Sequence, residues 1–320
     1  MIPKPRVLVL TGPTAVGKSN LVYNLLPRYL PNIEVVCADS RQIYRGMDIG
    51  TAKPSPTEQA LLPHHLIDLR QPTQQFSLGD FVREAEEAIP AIHGRGNIPV
   101  LVGGTGFYLR GLLFGLSKAP PGDSSVRREL EHELEVRGRE VLAQELAQID
   151  PQSSKAIAPG DTYRLLRALE IYRVSGRPRS DFTVATEVRG DWEVSLVVLD
   201  RPREEVYARI YERVTHMFAQ GLVEEVRKLL AQGIQFSDPG MQAIGYKEFC
   251  EPGAFENLSD TANRVAQNTR HYAKRQYTFF RKFSGAGWVH PERKDELLAA
   301  LGVLGPKNHA PDIRGHGEGY

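Results

Sequence analysis

An α/β fold, in which helices flank a parallel sheet and a helical segment is inserted, is predicted by three features of the sequence. Apolar runs of strand length alternate with helix-like runs through residues 1–117 and again through 191–320. A glycine-rich turn joins the first such pair, and residues 118–190 lose the strand signal and become charged and helical. The predicted organisation is a core of 1–117 and 191–320 with an insertion at 118–190.

The first unit organises the rest. The apolar run Val7-Leu8-Val9-Leu10 leads into Gly12-Pro13-Thr14-Ala15-Val16-Gly17-Lys18-Ser19, and a helix-like run follows from Asn20 to Leu30. Strand, glycine loop and helix are the context a P-loop requires. The glycines let backbone N–H groups close around phosphate oxygens, Lys18 adds a point charge, and Ser19 offers a hydroxyl to a phosphate-bound Mg²⁺. The sheet is therefore expected to be P-loop NTPase-like. The loop specifies phosphate; it does not specify which phosphate, or whether the bond broken is P–O.

Next in order, Ile33 to Cys37 is a β-branched strand ending in Ala38-Asp39-Ser40-Arg41-Gln42, polar residues at the strand end where α/β sheets bind ligands. Tyr44 to Pro56 is loop-like, and His64 to Asp68 suits a short strand. Ser77 and Asp80 open a helix that continues through Phe81, Ala85, Ala88 and Ile89. Ile98 to Val102 is another strand, running through Gly103-Gly104-Thr105-Gly106 into a second helix. From Ser124 to about Val174 the chain reads as helices broken at Gly138, Pro151 and Pro159-Gly160. The sheet resumes at Val194 to Leu199, followed by helices over Arg203–Gln220 and Leu222–Ala231, a loop from Met241 to Lys247, a helix over 260–283, and a terminal strand at Trp288-Val289.

The totals bound the class. Forty basic against 39 acidic residues leave a formal charge of +1, so any basic surface is local. Two cysteines, Cys37 and Cys250, make neither a disulfide framework nor a zinc set. No signal peptide and no apolar run near ~20 residues is evident, which excludes a membrane-spanning helix and predicts a cytoplasmic protein. No long apolar seam is evident either, so a monomer is expected. The tail from Gly305 to Tyr320 has the composition of a disordered segment.

Four features carry chemistry. Asp39 stands one strand-end from the P-loop, where a carboxylate can ligate Mg²⁺, act as a general base, or simply cap a turn. Asp200 imitates the end of a Walker-B strand, but Arg201-Pro202-Arg203 equally suit a turn or helix start. Thr105 offers a hydroxyl within a glycine turn that permits close approach. Between Arg264 and Phe283, Arg264, Arg270, Lys274, Arg275, Arg281 and Lys282 occur with no acidic residue, interleaved with Tyr272, Tyr277, Phe279, Phe280 and Phe283. That pattern suits a polyanion, with aromatic faces for unpaired bases, or a surface helix whose aromatics face the core.

The motifs resemble those of the tRNA dimethylallyltransferase family, bacterial type. They are the P-loop, the run Asp39 to Pro54, His64-His65-Leu66-Ile67-Asp68, Gly103-Gly104-Thr105-Gly106, Arg167-Ala168-Leu169-Glu170, Gly245-Tyr246-Lys247 and Lys274-Arg275-Gln276, in family order over residues 6–290. The resemblance implies transfer of a dimethylallyl group from dimethylallyl diphosphate to the exocyclic amine of the tRNA adenine just 3′ of the anticodon. The P-loop then grips the donor's diphosphate rather than ATP, with Mg²⁺ bound through Ser19. Asp39 becomes the base that accepts the amine proton, and Thr105 contacts the adenine or its neighbour. Arg209 and Arg213, four apart on one helix, either clamp the diphosphate from the other side or pair with Glu205 and Glu212. The tRNA side would comprise Asp39, Ser40, Arg41, Gln42, Thr105, Arg127, Tyr163, Arg164, Leu165, Leu166, Arg167, Gln242, Ala243, Ile244, Gly245, Tyr246, Lys247, Lys274 and Arg275. Two departures stand out, Tyr163 where the family usually has Gln and Lys247 where it often has Arg. The zinc finger of eukaryotic members is absent, which fits the bacterial type. Rival readings are an isopentenyltransferase acting on free adenine nucleotides, a small-molecule kinase using the same loop, and an RNA-binding P-loop switch protein.

Overall fold

A computed structural model of the chain describes residues 4–182 and 185–304. The chain divides into two compact units, residues 1–113 with 188–320 and residues 114–187. The sequence reading put the insertion's edges at 118 and 190. The predicted disorder of 305–320 lies outside the described residues.

The larger unit is built on a six-stranded parallel sheet. In chain order the strands are β1 (Arg6–Thr11), β2 (Ile33–Cys37), β3 (His64–His65), β4 (Ile98–Gly103), β5 (Glu193–Leu199) and β6 (Gly287–Val289). Their spatial order is β3-β2-β4-β1-β5-β6. The P-loop NTPase-like parallel sheet expected from the β-loop-α pattern is thus the one observed. β1 sits between β4 and β5, with Thr11 opposite Gly103 and Val198. Val7 to Leu10 and Val35 to Cys37 are buried on both faces, which is why these strands read as continuous apolar runs. The short strand predicted over 64–68 stops after His65, because Leu66 and Asp68 both adopt left-handed backbone and turn the chain away.

Four helices follow the first strands: α1 (Lys18–Asn24), α2 (Pro56–Leu61), α3 (Leu78–Gly94) and α4 (Gly106–Phe114). The first is shorter than predicted. Pro27 cannot continue an α-helical hydrogen-bond ladder, and residues Leu26–Arg28 form a 3-10 turn instead. Ser77 and Asp80 form a capping box at the start of α3, as their spacing predicted.

Residues 114–187 contain α5 (Ser124–Arg137), α6 (Arg139–Ile149), α7 (Pro151–Ala156) and α8 (Thr162–Ser175). The breaks fall at the predicted Gly138, Pro151 and 159–160. Their core is Leu130, Leu142, Leu146, Leu165, Leu166 and Leu169. The larger unit is completed by α9 (Arg203–Ala219), α10 (Leu222–Ala231), α11 (Leu258–Phe280) and α12 (Lys294–Ala300). The loop predicted over 241–247 carries 3-10 turns at Gly240–Gln242 and Lys247–Cys250.

Candidate functional site

The P-loop leaves β1 with a backbone that few side chains tolerate. Gly12 has φ +139°, and a Cβ there would lie 2.8 Å from the Leu199 carbonyl on the neighbouring strand. Ala15 and Gly17 are also left-handed, at φ 61° and 112°. These reversals wrap the loop before Gly17 caps α1, so that the first N–H groups of the helix remain available to an anion. Lys18 Nζ donates to the carbonyls of Gly12 (2.8 Å) and Pro13 (2.9 Å), holding the ammonium inside the cradle. Burial pushes the Lys18 pKa down to about 8, against the attraction of Asp39, with Arg213 adding to the depression. A bound diphosphate reverses that penalty by supplying the missing counter-charge.

Arg209 and Arg213 come from α9. Arg209 Nε donates to the Ala15 carbonyl at 2.7 Å, and Arg213 reaches Thr14 Oγ1 at 3.3 Å and the Thr51 carbonyl at 3.4 Å. Among the described residues neither pairs with Glu205 or Glu212; Glu205 is paired with Arg201 at 2.7 Å. Burial lowers the Arg213 pKa, with Asp39 opposing. Both guanidiniums therefore converge on the loop rather than on surface carboxylates.

Asp39, half-buried past the end of β2, accepts the Arg41 N–H through Oδ1 at 2.9 Å in a tight Asx turn. Its position is secured from the adjacent strand. Thr105 N–H donates to the Ala38 carbonyl at 3.2 Å, and Thr105 Oγ1 accepts the Ser40 N–H at 3.0 Å. Tyr272 of α11 hydrogen-bonds Thr105, and burial raises that phenol to about 12. Lys18, Ser19, Asp39, Gln42 and Gly103 together line a cavity of about 90 Å³. Asp200 is exposed and its N–H donates to the Val289 carbonyl, so it serves the β5–β6 end and not the cradle.

The run from Asp39 to Pro54 proves to be a self-bracing loop. Lys53 Nζ is bonded to the Tyr44 carbonyl (2.7 Å), Asp48 (2.6 Å) and Asp68 (2.6 Å), with its side chain 2 % exposed. The Gln42 amide donates to the carbonyls of Thr51 and Ala52. From outside the run, Glu225 of α10 accepts three successive N–H groups, of Asp48, Ile49 and Gly50, and the Tyr246 hydroxyl at 2.6 Å.

The expected RNA-side residues divide sharply. Lys274 and Arg275 are exposed on α11 and, with His271, Thr278, Phe279 and Lys282, line an open hollow of about 420 Å³. Lys247 and Gln242 are exposed, whereas Ala243, Gly245 and Tyr246 are buried and Ile244 is half-buried. They hold the loop in place: Gly245 N–H donates to buried Glu248 at 2.8 Å, and the Tyr246 hydroxyl donates to Glu225. In the smaller unit, Tyr163 is 69 % exposed and the Arg127 guanidinium lies 5.2 Å from its ring centre. Arg164 is exposed and paired with Asp161, and Arg167 bonds the Pro120 carbonyl. Leu165 and Leu166 correct the expectation, being each 2 % exposed in the helical core, where a leucine at that spacing belongs. For the aromatics between Arg264 and Phe283, the core-facing alternative applies to several. Phe280 and Phe283 are buried and meet half-buried Phe279 edge-on, and Tyr277 donates to the Arg201 carbonyl.

Sequence reasoning missed Gln276 as a site residue. Buried on the inner face of α11, its Nε2 donates to the Gly104 carbonyl (2.8 Å) and its Oε1 accepts the Thr14 N–H (2.9 Å), so one amide joins the P-loop to the Thr105 turn. A Cβ at Gly104 would collide with that amide. It stood in the Lys274-Arg275-Gln276 motif without a role, because a contact across 262 positions leaves no local spacing to read.

A phosphate cradle after the first strand of a parallel sheet, opening on a carboxylate at the next strand end, defines the P-loop class of protein. Within that class the relatives are specific. A family model described as IPP transferase matches residues 42–283. The chain is 44 % identical over 305 residues to tRNA dimethylallyltransferase 1 of Trichlorobacter lovleyi, covering 94 % of this chain and 99 % of that protein. It is also 44 % identical to the tRNA dimethylallyltransferase of Geobacter metallireducens, over 93 % and 97 % of the two chains. Among solved structures, the tRNA isopentenylpyrophosphate transferase of Bacillus halodurans matches with 35 % identity and a TM-score of 0.65, over 93 % of this chain and 97 % of that one. A eukaryotic dimethylallyltransferase described as acting on tRNA matches with 28 % identity and a TM-score of 0.76, over 90 % and 75 %. The chain belongs to the IPP transferase family of tRNA dimethylallyltransferases. No helix among the described residues is long and apolar enough to cross a membrane.

Proposed function

We propose that this chain transfers a dimethylallyl group from dimethylallyl diphosphate to the exocyclic amine of the adenosine 3′ to the anticodon of tRNA. The observation that carries the reading is that Lys18 and Asp39 line one cavity. A leaving diphosphate and an attacking amine need those two groups on opposite sides of the same carbon.

The amine of adenine is a poor nucleophile because its lone pair is delocalised into the ring. As its nitrogen bonds to the allylic carbon, the C–O bond to diphosphate breaks and the electron pair leaves with the bridging oxygen. The amine proton passes to the Asp39 carboxylate, a contribution of typically about 10²–10⁴-fold for a positioned base. Lys18, the P-loop N–H groups and the two arginines of α9 stabilise the charge that develops on diphosphate. Thr105 fixes the Ser40 N–H and so the turn that carries Asp39. An adenine in a stacked loop must be extruded to arrive there, at a cost of a few kcal/mol.

Mg²⁺ is part of the proposal. Ser19 is exposed at the start of α1 and lines the cavity beside Asp39. A magnesium ion that keeps most of its waters and takes phosphate oxygens needs few protein ligands, so this hydroxyl suits it. When bound, the ion supplies charge neutralisation to the departing diphosphate. The exposed cations of α11, with Arg127 and Arg164 in the smaller unit, are the proposed contacts to tRNA phosphates. A monomeric, cytoplasmic protein is likewise proposed, supported by the expected lack of an apolar seam and by a tRNA substrate.

The test is incubation with Mg²⁺, labelled dimethylallyl diphosphate, and tRNA, AMP or no acceptor. Label entering tRNA alone supports the reading. Label entering AMP favours transfer to free nucleotides, and ATP hydrolysis without prenyl transfer favours a kinase.

A further inference from the structure

We propose that Glu225 is a positioning residue for both sides of the site: it clamps the loop whose Thr51 carbonyl is shared by Arg213, on the diphosphate side, and Gln42, on the acceptor side. The inference rests on the transfer reaction proposed above and gives that reaction a determinant outside the cavity.

The clamp is a carboxylate set in a backbone nest. Glu225 Oε2 accepts the N–H groups of Asp48 (3.0 Å) and Ile49 (2.9 Å). Its Oε1 accepts the Gly50 N–H (3.2 Å) and the Tyr246 hydroxyl (2.6 Å). Three successive N–H groups aimed at one point form a concavity that binds an anion, and here the anion is a side chain of α10. Tyr246 is fully buried, and a Cβ at Gly50 would lie 2.4 Å from its ring. The buried part of the Gly245-Tyr246-Lys247 motif thus presses the loop onto Glu225.

The clamped segment leads straight into the site. Ala52 is left-handed at φ 47°, a conformation that a residue with a Cβ keeps only where its surroundings impose it. They impose it from both sides. Glu225 holds residues 48–50, and Lys53, bonded to Asp48 and Asp68, holds the next position. Between these anchors the Thr51 carbonyl accepts Gln42 Nε2 at 3.2 Å and Arg213 Nη2 at 3.4 Å. A carbonyl oxygen has two lone pairs, and these donors use both.

Both donors belong to the site. The Gln42 amide also donates to the Ala52 carbonyl at 3.1 Å and accepts the Cys37 thiol at 3.2 Å, and Gln42 lines the cavity with Lys18 and Asp39. Arg213 also reaches Thr14 of the P-loop at 3.3 Å. One peptide therefore holds a residue from each side, and a movement of the loop releases the two together. A misplacement of about 1 Å costs up to about 10²-fold in rate even when its cause lies far from the chemistry.

Two variants test the clamp. Glu225→Gln keeps the shape but sets an NH₂ group among the four donors, so that two of them lose their acceptor. Tyr246→Phe removes one donor and keeps the ring over Gly50. In Glu225→Gln, inorganic diphosphate should bind at least about tenfold more weakly, and single-turnover transfer should slow at least about tenfold. Affinity for tRNA at fixed salt should fall at least about fivefold, the worth of a misplaced hydrogen-bonding side chain. Tyr246→Phe should move all three readouts the same way by at least about twofold.

Double-mutant cycles identify the route. Glu225→Gln should change diphosphate affinity by less than about twofold in an Arg213→Ala background, and tRNA affinity by less than about twofold in a Gln42→Ala background. The full loss persisting in either double variant overturns the proposal. So does a loss in one affinity without the other. A lower melting temperature with both affinities unchanged makes Glu225 a brace for the fold alone, and that too overturns it. Should Glu225→Gln not fold, Tyr246→Phe decides by the same readouts. Should the unaltered protein transfer no label to tRNA, the transfer reading falls, while the two affinities still judge the clamp.

Discussion

The P-loop and the basic helix α11 both bear the signature of phosphate binding, yet they are built in opposite ways. The loop is shaped by backbone: Gly12, Ala15 and Gly17 hold left-handed conformations, and Lys18 is bonded to two of the loop's own carbonyls. The helix presents side chains that project outward, with Lys274 and Arg275 exposed over an open hollow. The first design suits one small anion in one pose. The second suits a long polyanion whose charges are spaced along a surface. What joins them is that α11 has two faces. One turn of it carries Lys274 and Arg275 outward and Tyr272 and Gln276 inward, onto Thr105 and Thr14.

Four measurements sharpen or break this contrast, and the largest effect belongs to Asp39. Asp39→Asn keeps an oxygen for the Arg41 N–H but cannot accept the amine proton, so single-turnover transfer should fall by about 10²–10⁴ with tRNA affinity nearly intact. Near-normal turnover would remove the base role. The cradle's affinity should also depend on pH. A lysine that ionises near 8 in the free protein is increasingly neutral above that pH, so diphosphate binding should weaken by about tenfold between pH 7 and 9. Lys18→Arg, which stays charged, should flatten the curve; an identical slope in that variant would assign the effect to the diphosphate's own protons.

The two faces of α11 should then separate. Gln276→Leu leaves the Thr14 N–H and Gly104 carbonyl without their shared partner and should weaken inorganic diphosphate binding by about tenfold, with no change in the salt dependence of tRNA binding. Replacing Lys274 and Arg275 by Ala should do the reverse. The slope of log K against log salt should shrink by about two, with diphosphate affinity unchanged. If both variants moved both readouts, the helix would act as one unit and the distinction between its faces would fail.

Local pattern carried the architecture a long way. Alternating strands and helices, the breaks at Gly138 and Pro151, and the capping box at Ser77 depend on neighbours a few residues apart, and a linear sequence displays such spacing directly. The cradle and Asp39 were legible for the same reason, since each is a contiguous motif at a strand end. Motif membership was a poorer guide to side-chain role. Leu165, Leu166, Ala243 and Tyr246 lie within stretches read as RNA-facing and are buried.

What the chain determined alone was its sheet, its phosphate loop and the presence of a surplus of cations on one helix. Tertiary structure alone decided which way each face of that helix points, that Arg209 and Arg213 turn to the loop rather than to glutamates, and that Tyr23 is hydrogen-bonded to His64. Those outcomes join residues 41 to 262 positions apart, as Tyr23 with His64 and Thr14 with Gln276. Such pairings follow from packing, where the free energy of burying one face selects partners that no short-range spacing encodes.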